Sequence, residues 1–498
     1  MVGRGIRAHF RWPLGLDAVW LASPLFVIAL SALLSPIRPF DYFWALVQGR
    51  ACVQLAQIPT SNLFLFTLPE SAPFFDQPWL SQMALYGAYS ALGHAANTLL
   101  LALLLLVAFA LVMDAALRNG AEPSHVACVA LLGTPLVALG SGVRTQMFAY
   151  PCFAYFVWLV ASRRETHAPG SLAFAAGASA LWANVHGSFV LGPLLLGVDA
   201  LSRLFRSRRS LNAALAPLLA VCAGTLLNPR GPFVYAYVFH YSGAVQAAGS
   251  TDIAEWQAPT WASPTGVALL VLFLASVATL VFQRRRARLG ESLLLLLFGL
   301  LSFTSQRFFC WWALTAIAVA SPLLAPLAKG ASPRGLPALN LALLLAMGLA
   351  LLNCSPGWPL FGRAARGALI ADGEGRGLST ETPIGIGEAL AHGFRGRLFH
   401  DQALGGFVEW VLAEKAPKPV AFVDQRFELT PPQLWRDYFA LCEARRDWQT
   451  LLALYQIDGI LVHEARASAL VGALAHRSEW RLDAREFGYR LYTRQPVR

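Results

Sequence analysis

The amino-acid sequence predicts a polytopic α-helical membrane protein with about eleven spans and a C-terminal α/β domain outside the cytoplasm. Three observations lead to this fold class. Of the 498 residues, 56% are hydrophobic and 13% are charged, and the mean hydropathy is +0.51. Apolar runs long enough to cross a bilayer recur through residues 16–353. After residue 354 the composition changes abruptly, and short strand-like segments alternate with amphipathic helical patterns.

The first span is predicted at residues 16–36. Arg4, Arg7 and Arg11 precede it, and its apolar run of about twenty residues is longer than the core of a cleaved signal peptide. The other runs of spanning length follow along the chain. They cover residues 94–117, 123–141, 145–162, 188–204, 211–228, 263–283, 308–328 and 335–353, with shorter runs at 170–184 and 290–305.

Basic residues collect in alternate loops, as expected if those loops are cytoplasmic. The N-terminal arginines are followed by clusters at Arg118, Arg163 and Arg164, Arg203 to Arg209, Arg284 to Arg288, and Lys329 and Arg334. The N-terminus is therefore predicted to be cytoplasmic, and an odd number of spans places the C-terminal domain outside. The same clusters explain the net charge of +11 without a nucleic-acid partner, because they do not form one basic face.

The sequence divides into a transmembrane domain, residues 1–354, and an α/β domain, residues 355–498. In the second, strands are predicted at Arg397–His400, Val420–Asp424 and Asp458–His463, followed by a hairpin of 480–485 and 489–493. Gly373, Gly375 and Gly377 suggest a flexible join. The seven cysteines include no Cys-x-x-Cys pair, so neither a zinc site nor a disulfide framework is indicated.

Polar residues gather in the predicted outer loops. The large first loop, residues 37–93, holds two carboxylates among aromatic residues, Asp41 and Asp76. Loop anchoring alone does not require the Asn, His, Asp and Glu side chains of the shorter outer segments. These segments are Ser141-Gly142-Val143-Arg144, Trp182-Ala183-Asn184-Val185-His186-Gly187, Asn228-Pro229-Arg230-Gly231, Asp252-Ile253-Ala254-Glu255-Trp256 and Ser305-Gln306-Arg307.

The order of these motifs resembles that of bacterial membrane proteins of the GT-C glycosyltransferase superfamily. The resemblance rests on Asp41 after the first span, Ile58-Pro59-Thr60-Ser61-Asn62, Asp76-Gln77-Pro78-Trp79-Leu80-Ser81-Gln82, Trp182-Ala183-Asn184-Val185-His186-Gly187, Leu227-Asn228-Pro229-Arg230-Gly231, Glu255-Trp256, and Phe422-Val423-Asp424-Gln425-Arg426. It implies an inner-membrane enzyme that takes a sugar from a polyprenyl-phosphate or polyprenyl-pyrophosphate donor on the periplasmic side. It also implies that Asp41 is the first-loop catalytic residue.

The expected chemistry assigns roles to these residues. Transfer to a hydroxyl needs a carboxylate base, for which Asp41 is the first candidate and Asp76 the second. A lipid phosphate leaves with negative charge, which Arg144, His186 and Arg307 would stabilise. One base suffices for an inverting displacement, whereas a glycosidase needs a second carboxyl as acid. The side chains expected to bind substrate are Trp79, Gln82, Asn184, Asn228 and Glu255.

Each residue also has a plainer interpretation. Asp41 would cap an amphipathic segment at 42–55, and Asp76 would belong to a turn. Arg144 and Arg307 would extend to lipid headgroups. His186 would be a satisfied polar group where two helices approach. Other outer side chains have plainer roles too: the tryptophans would form the interfacial aromatic belt, and Asp424 and Arg426 would form a structural ion pair.

The sequence leaves the cofactor and the partners open. Many relatives place two acids close together in the first loop, whereas Asp41 and Asp76 are far apart, so a divalent metal is not indicated and the cofactor stays unassigned. The acceptor is a glycan, a lipid or a protein, and the oligomeric state is not indicated. The alternatives to an enzyme are a transporter or lipid flippase, against which the charge-poor span centres argue, and a non-catalytic assembly subunit.

Overall fold

The computed structural model describes residues 15–162, 168–206, 211–247, 254–324, 335–356, 377–379 and 381–495. Several residues used in the sequence argument lie outside these ranges, so their predictions are not addressed. They are Arg4, Arg7, Arg11, Arg163, Arg164, Arg208, Arg209, Asp252, Lys329, Arg334, Gly373 and Gly375.

A helix occupies each of the predicted apolar runs. In chain order the helices up to residue 354 are α1 (Leu16–Leu34), α2 (Pro39–Leu55), α3 (Trp79–Leu92), α4 (His94–Arg118), α5 (Pro123–Gly140), α6 (Ala149–Ala161), α7 (Pro169–Val185), α8 (Leu191–Arg206), α9 (Leu211–Thr225), α10 (Phe233–Ala247), α11 (Pro264–Phe282), α12 (Leu289–Thr304), α13 (Phe309–Leu324) and α14 (Pro337–Cys354).

Among the described residues, seven helices are long and apolar enough to cross a membrane. They are Leu16–Leu34, His94–Arg118, Pro123–Gly140, Gly187–Phe205, Pro264–Phe282, Gln306–Leu324 and Pro337–Cys354, and shorter apolar helices cover Thr145–Ala161, Ala214–Thr225 and Leu289–Thr304. The chain is thus a multi-pass membrane protein, and the count of eleven spans stays a prediction.

Residues 37–93, the predicted first outer loop, contain two helices, α2 and α3, and α2 covers the amphipathic segment predicted at 42–55. Pro39 opens α2, where its fixed φ suits the first helical position, and Ala56 ends the helix with a left-handed φ of 51°. The two helices pack closely at Gly49, where an added Cβ would lie 2.2 Å from the backbone oxygen of Gln82. A side chain at residue 49 would therefore force the helices apart.

A four-stranded sheet lies in the C-terminal region, residues 381–495. Its strands are β1 (Arg397–His400), β2 (Ile457–His463), β3 (Trp480–Glu486) and β4 (Tyr489–Arg494), in the order β1-β2-β4-β3. β1 and β2 are parallel, and the other pairings are antiparallel. Phe487 and Gly488 both have positive φ, 45° and 81°, as a two-residue hairpin with the native twist requires. The predicted closing hairpin is confirmed.

The helices of this region flank the sheet. They are α15 (Ile384–Gly393), α16 (Gly405–Leu412), α17 (Pro432–Cys442), α18 (Trp448–Leu454) and α19 (Ser468–Leu474).

The strand predicted at Val420–Asp424 is wrong, because its backbone pairs with the first outer loop and not with the sheet. The amides of Val420 and Ala421 both donate to the Phe64 carbonyl, at 2.7 and 2.9 Å. The Phe422 amide donates to Nε2 of the His400 side chain, at 3.0 Å. The segment is extended, but its partners come from a distant part of the chain that sequence periodicity does not reveal.

The C-terminal region packs directly against α2 through α16. An added Cβ at Gly406 would lie 2.3 Å from the backbone nitrogen of Trp44, so the two helix backbones nearly touch. Arg50 of α2 donates to the carbonyls of Trp410 and Ala413, both at 3.2 Å, and so satisfies the end of α16. The Arg50 guanidinium also lies 4.3 Å from the Trp410 ring centre.

A buried ion cluster joins the first loop to this region. Arg426 pairs with Asp424 at 2.5 Å, which confirms the predicted structural ion pair, and lies 3.7 Å from Glu409. The Asp76 carboxylate, fully buried, accepts a hydrogen bond from Gln82 at 2.8 Å. The Arg426 charge also acts on Asp76 and on Glu428, whose carboxylate accepts a hydrogen bond from the Tyr237 hydroxyl at 2.8 Å. We call this group the interface cluster.

The close approach at Gly406 yields the first prediction. Gly406→Ala should destabilise the folded protein by about 1–3 kcal/mol, because the new methyl group meets rigid backbone. Thermal unfolding of the full chain in detergent measures this. Gly472→Ala is the matched control, since nothing lies within 4 Å of its added Cβ and alanine favours a helix. Equal melting temperatures for the two variants would contradict the assigned contact.

The interface cluster yields a prediction about pH. Burial raises the pKa of Asp76 to about 7 and that of Glu428 to about 7, against opposing hydrogen bonds and the Arg426 charge. Because the folded protein holds these protons more tightly than the unfolded chain, stability should fall as pH rises from about 4 to about 7. Melting temperatures from pH 5 to 8 test this. The double variant Asp76→Asn, Glu428→Gln should show a flatter profile, and an unchanged slope would exclude these groups as the cause.

Candidate functional site

Asp41 lies at the N-terminal end of α2, in its first turn. A carboxylate is favoured there because the first helical amides are unpaired. Its Oδ2 atom lies 3.6 Å from NH1 of Arg144, and 46% of the Asp41 side chain remains exposed. The carboxylate is therefore both paired and reachable from solution. The protein atoms packed around the carboxylate partly exclude water from it and raise the pKa of Asp41, and the Arg144 charge offsets part of that rise.

Arg144 lies at the centre of the site, in the connection between α5 and the 3₁₀ turn Thr145–Phe148. NH1 donates to Oε2 of Glu255 at 2.7 Å, and NH2 donates to the Gly140 carbonyl at 3.2 Å. The Tyr150 hydroxyl donates to the same carbonyl at 2.8 Å. The guanidinium is thus anchored at the end of α5 and bridges two carboxylates, instead of extending to lipid headgroups.

Glu255 also lies beside a second cation. Its Oε1 atom is 3.6 Å from Nε of Arg307, whose guanidinium lies 4.0 Å from the Trp256 ring centre. The Ser305 hydroxyl donates to the Glu255 carbonyl at 2.9 Å, and the Gln306 amide donates to the carbonyl of Gln257 at 3.1 Å. These contacts fix the backbone of the 3₁₀ turn Ala254–Trp256 against the link between α12 and α13. We call Asp41, Arg144, Glu255 and Arg307 the outer ion cluster.

His186 lies close to this cluster as a neutral imidazole. Burial lowers its pKa to about 3, and the charges of Arg307 and Arg144 lower it further. Its Nδ1 atom accepts from the Ser188 amide at 3.1 Å, so the ring proton belongs on Nε2. Among the described residues no side chain or backbone group bonds to Nε2. His186 can therefore donate one hydrogen bond without adding charge.

Three of the residues expected to bind substrate form a separate network. Nε1 of Trp79 donates to Oδ1 of Asn184 at 2.8 Å, and Nδ2 of Asn228 donates to the same oxygen at 3.2 Å. Asn228 also donates to the Ala183 carbonyl at 2.9 Å. These bonds connect α3, the end of α7 and the chain after α9. Their role in substrate binding stays a prediction.

Asp76 and Gln82 lie apart from the outer ion cluster. They bond to each other, and the charges that act on Asp76 come from Arg426 and Glu428. No part of the Asp76 side chain is exposed, whereas a base must reach its substrate. The geometry supports the turn and interface interpretation of Asp76. The sequence ranked Asp41 first and Asp76 second as the base, and the structure separates them by exposure: the Asp41 side chain is 46% exposed and Asp76 is fully buried.

Sequence reasoning missed Tyr150 and Gly140. Both sit at the ends of apolar helices, where a single aromatic or glycine residue gives no polar signal. The role of Ser305 in fixing the Glu255 backbone was equally hidden, since it depends on a contact between distant loops. Across the ranges that the structure describes, no group of three or more His, Cys, Asp or Glu side chains could hold a metal ion.

The comparisons with known proteins give a likeness at the level of the fold. No protein-family profile matches the sequence, and no curated protein matches it. The fold is similar to the single-particle cryo-EM structure of the arabinofuranosyltransferase AftD from Mycobacteria, with a TM-score of 0.52 and 15% sequence identity over 96% of this chain. This chain spans 40% of the length of that one. The likeness concerns the fold alone.

Proposed function

We propose that this protein is a GT-C-type glycosyltransferase that moves a sugar from a polyprenyl-phosphate donor to an acceptor outside the cytoplasm. The observation that supports this most directly is the outer ion cluster, in which an exposed carboxylate of raised pKa lies 3.6 Å from an arginine. The fold likeness to an arabinofuranosyltransferase supports transferase chemistry in general. An assembly subunit would not need these distant motifs to converge.

Asp41 is proposed as the general base. A carboxylate whose pKa is raised binds a proton more strongly and is a better base near neutral pH. As the acceptor oxygen bonds to the anomeric carbon, its proton moves to Asp41, and the bond from that carbon to the phosphate oxygen breaks. The electron pair leaves with the phosphate. Attack opposite the leaving group inverts the anomeric centre.

Arg144, Arg307 and His186 are proposed to stabilise the departing phosphate. The two guanidinium groups supply positive charge, and forked donors match phosphate oxygens well. Neutral His186 would add one hydrogen bond from Nε2. A phosphate at this position needs no protonation to leave, so no second carboxyl acid is required. The remaining expected contacts, from the network of Trp79, Asn184 and Asn228, would lie on the sugar side.

The proposal includes an orientation in the membrane. The N-terminus would be cytoplasmic, the outer ion cluster and the C-terminal region would be periplasmic, and the membrane would be a bacterial inner membrane. The basic clusters at Arg118, Arg203 and Arg284 to Arg288 support this orientation, because basic loops stay in the cytoplasm. The isoprenoid chain of the donor would lie between the helices, with its phosphate at their outer ends.

Replacing the proposed base tests the mechanism. Asp41→Asn should lower sugar transfer by about 10²–10⁴-fold while donor binding and expression persist, since only the proton acceptor is lost. Purified protein is incubated with a panel of polyprenyl-phosphate sugars, and release of the lipid phosphate is measured. Glu70→Gln, an exposed first-loop change, serves as the charge-matched control. An active Asp41→Asn enzyme would refute the assignment of the base, and no turnover of any donor by the unmodified protein would refute the function.

A further inference from the structure

The Glu255 carboxylate occupies an unusual place for a substrate contact. Each of its oxygens faces a different arginine, Oε2 at 2.7 Å from Arg144 and Oε1 at 3.6 Å from Arg307. Proteins often bind a phosphate between two guanidinium groups in the same way. Here the anion belongs to the chain itself. Both arginines that the proposed function assigns to the donor phosphate are therefore already paired.

Charge balance makes simultaneous occupancy unfavourable. The outer ion cluster holds two carboxylates and two guanidinium groups, and the neighbouring His186 is neutral. The two arginines outweigh the effect of burial and hold the pKa of Glu255 below its ordinary value, so this carboxylate is ionised. A phosphate entering the cluster would add at least one uncompensated negative charge in a partly buried place. Removal of the Glu255 carboxylate from the arginines restores the balance.

The local structure allows that removal without refolding. The backbone at Glu255 is held by Ser305, and the flanking Gln257 is held by Gln306, so the turn stays in place. About 30% of the Glu255 side chain is exposed, as are 21% of Arg144 and 28% of Arg307. A rotation about the side-chain bonds of Glu255 would take its carboxylate into solution, which leaves Arg307 without this partner and Arg144 paired with Asp41 alone. Such rotations are fast for partly exposed side chains.

We propose that Glu255 is an exchangeable internal anion: in the resting protein its carboxylate occupies the place of the donor phosphate, and it leaves when a lipid phosphate binds. This inference rests on the proposed function, because it concerns the same two arginines. Glu255 would act as a positioning residue. Its carboxylate would keep Arg144 and Arg307 together and balance their positive charge until substrate arrives. The site would bind a phosphate monoester most tightly when the Glu255 carboxylate is absent.

A purely structural role makes the opposite prediction. If Glu255 only holds the two arginines in position, its loss would let them separate, and phosphate binding would weaken. If it is an exchangeable anion, its loss removes competition, and phosphate binding strengthens. The two roles can therefore be separated by affinity alone, with no assay of sugar transfer.

The experiment measures binding of farnesyl phosphate to the purified full chain in detergent by isothermal titration calorimetry, with farnesol as the control for the apolar chain. Glu255→Gln should bind farnesyl phosphate about tenfold more tightly than the unmodified protein, as expected if the arginines are free only a tenth of the time. Glu255→Asp keeps the charge but is too short to reach both arginines, and it should also bind more tightly, though less so. Glu70→Gln removes a negative charge elsewhere in the outer loops and should bind as the unmodified protein does.

The outcomes separate the inference from the function it rests on. Equal or weaker binding by Glu255→Gln, with clear binding by the unmodified protein, would overturn the exchangeable anion and leave the proposed function standing. Tighter binding by Glu255→Gln but unchanged binding by Glu255→Asp would mean that the tighter binding comes only from the loss of a negative charge. This result would also overturn the exchangeable anion. If farnesyl phosphate binds no better than farnesol to the unmodified protein and to every variant, both the exchangeable anion and the proposed function are refuted. Melting temperatures of all variants show that each one folds.

Discussion

The contact between α2 and the C-terminal region is the constraint on which the rest of the structure depends. α2 lies outside the candidate membrane spans and buries polar side chains along its length, among them Gln48 and Arg50. Lipid would not stabilise such a helix, because buried polar groups need protein partners. α3 covers one side at Gly49, and α16 covers another at Trp44 and Arg50. Asp41 lies in the first turn of this helix, so its position depends on the packing of α2 against α16, which belongs to the last quarter of the chain.

This arrangement explains why the protein has two carboxylate clusters with different properties. The interface cluster is buried: Asp424 and Glu409 lie beside the Arg426 guanidinium, which is itself 1% exposed, and the Asp76 side chain is not exposed at all. Buried charges of this kind fix one geometry and are poorly placed to meet a substrate. The outer ion cluster has partly exposed side chains on separate loops, so its groups can exchange partners. The difference in exposure supports a structural role for the interface cluster and is consistent with the chemical role proposed for the outer ion cluster.

The sequence predicted most of the apolar helices because each is a continuous hydrophobic run, and it predicted the hairpin at Phe487 and Gly488 because turn residues separate two alternating segments. It described α2 only as an amphipathic segment at 42–55, and it did not predict α3 or α10, whose mixed composition has meaning only once their partners are known. It also assigned Val420–Asp424 to the sheet, since the competing partner, Phe64, lies far away in the chain. The convergence of Asp41, Arg144, Glu255 and Arg307 was expected from loop alternation, which places them on one side, but their distances follow only from packing.

The balance of charge in the outer ion cluster has a further consequence for how the proposed reaction would be ordered. With Glu255 between the arginines, Asp41 is paired with Arg144 alone, at 3.6 Å, which is longer than the 2.7 Å contact from Arg144 to Glu255. Arg144 can approach Asp41 or a phosphate, and each choice changes the pKa of the carboxylate. When an incoming phosphate draws Arg144 away, its positive charge acts less on Asp41. The pKa of Asp41 then rises further, because the nearby cation is what lowers it. Donor binding would thus make Asp41 a stronger base before the acceptor hydroxyl gives up its proton.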